Sequence, residues 1–204
     1  MAMPHIHTGP GEHDTTASAF IIRLDGPEPR ILLHVHKKLG ILLQPGGHVE
    51  LKETPWQAIL HEITEETGFR HEQLKILQPQ LRLRQLSGAI LHPAAIYQNT
   101  HRFGGELEHW HTDTGYAFLA DGDPIGKPDD NESTDLRWYT ESEIEAIPVG
   151  GLPENVRDIA RYALSDCLPN WEPLPPRHLR RLACGTHVCL RDSVFCAHIV
   201  ATKN

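Results

Sequence analysis

Apolar residues along this chain change their period several times, and each change marks an element. Residues 15–24 are apolar and β-prone, and the run stops at Asp25-Gly26-Pro27. A second strand is expected over 30–36, joined to the first by a hairpin-type cluster of Gly26, Pro27 and Pro29. Lys37 to Gly40 reads as a turn, and 41–44 as a short strand halted by Pro45. Further strands are expected over 73–86, 89–97, 109–120 and 136–139, with a Gly/Pro/Asp-rich surface loop at 121–131.

The period shifts to that of a helix after Thr54. Thr54 is suited to an N-cap, Pro55 to the first helical position, and Gln57 to the third residue of a capping box. Trp56, Ile59, Leu60 and Ile63 then recur as one apolar stripe, and Gly68 suits a left-handed C-cap. Two later helical segments are expected: a short turn opening at Thr140, and a closing helix over 153–165 with Val156, Ile159, Ala160 and Ala163 inward. Strands and helices mixed at these intervals predict an α/β sandwich of layers.

Composition narrows the organisation. The 204 residues suit one domain with appendages: a flexible lead-in over 1–14, a main body over 15–167, and a C-terminal appendage over 168–204. The appendage opens on a proline-rich stretch, Trp171 to Pro176, and carries Arg177, Arg180, Arg181 and Arg191. A formal net charge of −8 argues against a stable nucleic-acid complex, which needs a basic face. It leaves room for a phosphate-bearing small molecule, because a divalent metal can supply positive charge locally. No apolar run is long enough for a membrane span. Cysteines occur only at 167, 184, 189 and 196, so no disulfide framework ties the body, and a cytoplasmic location is expected.

The chemistry concentrates between Gly47 and Phe69. On the predicted helix Glu62, Glu65 and Glu66 stand at i, i+3 and i+4, which brings three carboxylates onto one face. Like charges so close repel by a few tenths of a kcal/mol, roughly, per pair. A solvated acidic face tolerates that; a cluster of hard oxygen ligands for Mg²⁺ or Mn²⁺ would use it. Gly47 and Glu53 upstream, then His61, Glu62, Ile63, Glu65, Glu66, Gly68 and Phe69, complete the pattern.

This spacing resembles the signature box of the Nudix hydrolases, Gly-x5-Glu-x7-Arg-Glu-U-x-Glu-Glu-x-Gly-U, where U is apolar. Every specified position matches except one, His61 in place of the usual arginine. The approach Gln44-Pro45-Gly46-Gly47-His48-Val49-Glu50 is similar to that family's as well. The resemblance implies an α/β/α sandwich around a mixed β-sheet and metal-dependent hydrolysis of a phosphoanhydride. It implies metal ligands at Glu62, Glu65, Glu66 and the carbonyl of Gly46, with Glu62 or Glu65 receiving the proton of the attacking water. Glu132 stands where relatives place a further ligand or base, against its alternative as a plain loop acid beside Asp129 and Asp130. Gly47, Glu53, His61 and Gly68 are expected to support the box. A histidine cannot supply arginine's fixed two-pronged contact and titrates near neutrality, so His61 is expected to affect the site.

Histidines elsewhere admit two uses. His34, His36 and His48 are candidates for phosphate contacts, with a solvated strand end as the alternative for His34 and His36. His109, His111 and Asp113 alternate along one predicted strand and share a face, for metal or substrate contact or for ordinary polar pairing. Trp110 and Tyr116 are candidates to stack on a base or simply to be buried. In the tail, Cys184, His187, Cys189, Cys196 and His198 lack matched zinc-ligand spacing, which leaves free thiols or a homodimer contact. A noncatalytic nucleotide- or metabolite-binding regulatory domain is the rival function, and an isomerase on the same scaffold is disfavoured because no cysteine precedes Cys167.

Overall fold

A strand buried on both faces needs a layer on each side, and β1 (His13–Arg23) is such a strand. Its Ala17, Ala19 and Ile21 enter one core while Phe20 and Ile22 enter another. The computed structural model describes residues 9–103 and 109–176, and everything below concerns those residues. Eight more strands follow: β2 (Arg30–Val35), β3 (Leu42–Leu43), β4 (Gly46–His48), β5 (Leu74–Pro79), β6 (Tyr97–Phe103), β7 (His109–Ala120), β8 (Leu136–Tyr139) and β9 (Trp171–Leu174). The helices are α1 (Pro55–Thr67), α2 (Glu141–Glu145) and α3 (Glu154–Tyr162).

The strands form one mixed sheet ordered β3-β2-β1-β7-β5-β9, with β4 on β1, β6 on β7 and β8 on β2. β1 and β7 run parallel along most of their length, from His13↔Trp110 to Ile22↔Leu119. The other pairings are antiparallel. On one face Trp56, Ile59 and Ile63 of α1 pack with Tyr116, Phe118, Leu32 and Ile76. On the other, Val156, Ala160 and Ala163 join Phe20, Ile31, Leu33 and Leu77. The result is the expected α/β architecture, helices on both faces of a mixed sheet.

Helix α1 begins and ends as its sequence dictates. The Thr54 hydroxyl accepts from Gln57 N–H, the Gln57 side chain accepts from Thr54 N–H, and Pro55 opens the first turn. Gly68 closes it at φ 73°, where a side chain would strain, and a Cβ there would meet Gly126 at 2.5 Å.

Several expected boundaries move. β1 starts at His13, so Asp14 belongs to the sheet and not to the lead-in. β5 stops at Pro79: Leu81, Leu83 and Leu86 are exposed, so the apolar run over 80–86 has no layer to pack on. The strand expected over 89–97 lies downstream as β6, whose polar alternation follows from pairing with β7 at the sheet's edge. β4 was not expected, since two glycines and a histidine carry no apolar alternation. The closing helix continues from α3 through a wider, π-helical turn at Ala163–Cys167. Beyond it, Trp171–Leu174 pairs with β5 as an edge strand, where proline is tolerated. That stretch was expected to sit in the appendage; the tail's zinc-like residues and all of 177–204 lie outside the described residues.

Candidate functional site

Alternation along β4 aims its residues at opposite sides of the sheet. Gly47 pairs with Ala17 and faces α1; His48 pairs with Thr16 and faces the other way. A Cβ on Gly47 would lie 2.2 Å from Oε1 of Glu62, so only a glycine lets this helix carboxylate settle on the strand. Beside it the backbone N–H of Gly46 donates to Oε2 of Glu66 at 2.7 Å. Gly46 itself has φ 155°, and a Cβ there would strike the Ala17 carbonyl at 2.3 Å.

The glutamates differ in environment. Glu66 is 5% exposed; burial and the neighbouring Glu62 carboxylate hold its pKa well above the usual range, against the opposing Gly46 hydrogen bond. Burial likewise pushes Glu62 up to about 7; Glu65, Glu132 and Glu53 add to this and His61 opposes it. Glu65 is half-exposed and turns to His61, whose Nε2 lies 2.8 Å from its Oε1. The Nδ1 of His61 lies 3.9 Å from Glu53. Partial burial pulls the His61 pKa down, but the Glu65 hydrogen bond and the charges of Glu65, Glu62 and Glu53 outweigh it, and the net shift is upward. His61 therefore stands between two box carboxylates, one imidazole nitrogen toward each. Glu53 also accepts from Glu50 N–H at 2.9 Å, closing the loop before α1.

Glu132 reaches this region through backbone docking. Asp129 N–H donates to the Glu65 carbonyl, Gly126 N–H to the Gly68 carbonyl, and Glu132 N–H to the Asp129 carbonyl. Lys37 Nζ adds contacts to the Asp130 and Asn131 carbonyls at 3.4 and 3.2 Å. The loop is thus hung on the C-terminal end of α1, and the Glu132 charge raises the pKa of both Glu62 and Glu66. Gly126 escaped the sequence analysis, although its close approach to Gly68 seats the loop.

The three candidate substrate histidines separate. His34, expected at a solvated strand end, is 2% exposed, with Nε2 3.9 Å from Glu66. Burial, and secondarily His36, lowers its pKa to about 4, so it is neutral near pH 7. His36 caps the turn after β2, its Nδ1 facing the Lys38 and Leu39 N–H groups at 3.3 Å. His48 lies across the sheet from the glutamates, against Asp14 and His111. Asp113 shares a face with His109 and His111 but is engaged elsewhere, accepting from Thr16, Ser18 and Tyr97. Tyr116 is buried edge-on to Trp56, whereas Trp110 is half-buried under Arg102. Tyr116 also lines a cleft of about 470 Å³ near the start of α1, with Pro55, His92, Ala95, Gln98 and Thr114.

Among the described residues, one group of four brings its ligand atoms within 4.8 Å of one another: Asp14, His48, His109 and His111. Of the box glutamates, Glu65 is held by His61 and Glu66 by Gly46.

Comparison with known proteins agrees with this architecture. The NUDIX domain model matches residues 14–162, and the chain belongs to the Nudix family. A MutT-like protein of Streptomyces ambofaciens is 36% identical over 72 residues, covering 35% of this chain and 45% of its own. A Caenorhabditis elegans protein that bears the name nudix hydrolase 1 is 28% identical over 136 residues, 65% of this chain and 30% of its own. The chain therefore spans less than half the length of these curated relatives. Among solved structures, a NUDIX-family hydrolase from Clostridium perfringens superposes with TM-score 0.59 at 28% identity, covering 74% of this chain and 95% of its own. The NUDIX domain of Shewanella oneidensis NrtR, crystallised with ADP ribose, shares the fold at TM-score 0.50 and 14% identity, covering 74% and 86%.

Proposed function

We propose that this chain hydrolyses a phosphoanhydride bond in a nucleoside diphosphate-linked or related substrate, with Mg²⁺ or Mn²⁺ as cofactor. One observation carries the proposal: Glu66, buried, and Glu62, half-buried beside it, rest against Gly46-Gly47, with Glu65 one turn away. Buried carboxylates are costly unless a positive charge compensates them, and an all-oxygen donor set suits a hard divalent cation. Family membership and the matching box support the same function.

Glu62, Glu65 and Glu66, with the Gly46 carbonyl, are the residues that would hold the cation. When bound, it supplies positive charge to the anhydride oxygens and lowers the pKa of the attacking water. Glu62 or Glu65 receives the proton of that water, and Glu132 is the further ligand or base that the docked loop offers. His61 positions Glu65 and Glu53 through its two ring nitrogens. Gly47 permits the approach of Glu62, and Gly68 the seating of the loop.

Glu65→Gln tests this directly, since it removes a ligand charge while keeping size. Phosphate or nucleoside monophosphate release would be followed over a panel of nucleotide sugars, nucleoside triphosphates, dinucleoside polyphosphates and ADP-ribose. Turnover should require Mg²⁺ or Mn²⁺ and fall by about 100-fold or more in the variant. Comparable turnover in both proteins would remove Glu65 from the mechanism. A noncatalytic nucleotide-binding regulatory domain is the alternative that His61 favours. Tight binding of one nucleotide without any turnover would establish it instead.

A further inference from the structure

Three neighbouring strands, β4, β1 and β7, converge on the sheet face opposite α1. Asp14 of β1 is in register with His111 of β7, and His48 of β4 pairs with Thr16, two residues along β1 from Asp14. His109 lies two residues before His111 and so projects from the same face. Asp14 and His111 are buried, while His48 and His109 are half-buried. The Nε2 atoms of His109 and His111 are 3.1 Å apart. Oδ2 of Asp14 stands 3.5 Å from Nε2 of His48 and 3.7 Å from Nε2 of His109. Phe103 lies flat on the His111 ring at 4.4 Å and fixes its plane.

We propose that Asp14, His48, His109 and His111 form a zinc-binding site separate from the box glutamates. Zinc–nitrogen bonds of about 2.0–2.1 Å place the corners of a tetrahedron about 3.3 Å apart. The three separations above, 3.1, 3.5 and 3.7 Å, bracket that spacing. Three imidazoles and one carboxylate give a borderline-soft donor set that favours zinc over magnesium. Four protein ligands would close the coordination sphere, which is the arrangement of a structural ion and not of one that activates water.

The consequence lies in β4. His48 follows Gly46 and Gly47, the residues against which Glu66 and Glu62 rest. Zinc at this site cross-links β4 to β1 and β7 and holds the platform of the opposite face in place. The site itself stands whether or not the glutamate helix is catalytic.

Cobalt(II) substitution of the full-length protein tests the proposal. Wild type, stripped with chelator and refilled, should acquire one tetrahedral cobalt per chain, counted by the intense visible absorption of a tetrahedral nitrogen/oxygen site. Separate His48→Gln, His109→Gln and Asp14→Asn proteins, each checked for folding by circular dichroism, should lose that absorption. A protein with Cys184, Cys189 and Cys196 all changed to serine should keep it, as should Glu62→Gln. Zinc should also raise the Tm of wild type but not of His109→Gln. The proposal is overturned if no tetrahedral cobalt forms, if folded His48→Gln and His109→Gln retain it, or if it disappears with the tail thiols or Glu62.

Discussion

The two faces of the sheet hold titratable clusters of opposite character, and a single strand serves both. On the α1 face carboxylates crowd around glycine: Glu62 against Gly47, Glu66 on the Gly46 N–H. On the other face three imidazoles surround one buried carboxylate, Asp14. The step from Gly47 to His48 crosses from one to the other. The glutamate cluster comes from one helix, where spacing of three and four residues suffices. The histidine cluster comes from three strands and exists only once the sheet is assembled. Local periodicity therefore foretells the first, and only topology reveals the second.

The strongest way to break this contrast is at Gly47. Gly47→Ala would set a methyl group 2.2 Å from the present position of Glu62 Oε1 and displace that carboxylate. Steady-state kinetics with Mg²⁺ should show a loss on the order of 100-fold, as misplacements of about 1 Å produce. Cobalt uptake at the histidine cluster should survive.

His61→Ala would remove the link from Glu65 to Glu53 and leave the glutamates themselves in place. A loss of about 10-fold in kcat/KM is expected, in the range typical of groups that orient metal ligands. His61→Arg should retain or exceed wild-type activity, because a guanidinium can bridge the same two carboxylates with more donors.

The buried glutamates also predict how stability responds to pH. The folded-state pKa values of Glu62 and Glu66 lie above those of an unfolded chain, so the folded form binds protons more tightly. Their contribution favours folding below pH ~4.5 and is lost as pH rises through about 7 for Glu62. A divalent cation held as proposed would offset that loss by replacing the protons. Calorimetry should show Mg²⁺ raising Tm more at about pH 8 than at about pH 5, and Glu62→Gln should shrink the difference. The smallest effect concerns the start of α1 alone: Thr54→Ala deletes the hydroxyl's hydrogen bonds with Gln57 and should cost about 1 kcal/mol in urea unfolding.

How far each part could be read in advance follows from the range of its determinants. Helix α1 was legible from cap to cap, because Thr54, Pro55, Gln57, the Trp56/Ile59/Ile63 stripe and Gly68 all act within a few residues. β7 was legible because twelve residues alternate or stay apolar. β6 was displaced since an edge strand such as Tyr97–Phe103 carries polar residues and its pairing with β7 is what orders it. β9 was hidden by its proline, which an edge tolerates. The alternation of His109, His111 and Asp113 was visible, yet the carboxylate that joins the histidines is Asp14. Only the parallel register of β1 and β7 brings Asp14 beside His111. Glu132 likewise depends on a docked loop, held through Gly126 and Asp129, that no local pattern encodes.

Manganese binding, followed by the loss of the free-ion paramagnetic resonance signal, tests the central claim most directly. Wild type and His109→Gln should take up Mn²⁺ alike, and a protein carrying Glu62→Gln, Glu65→Gln and Glu66→Gln together should take up little or none. Equal uptake by the triple variant would show that the glutamates of α1 do not hold the cation.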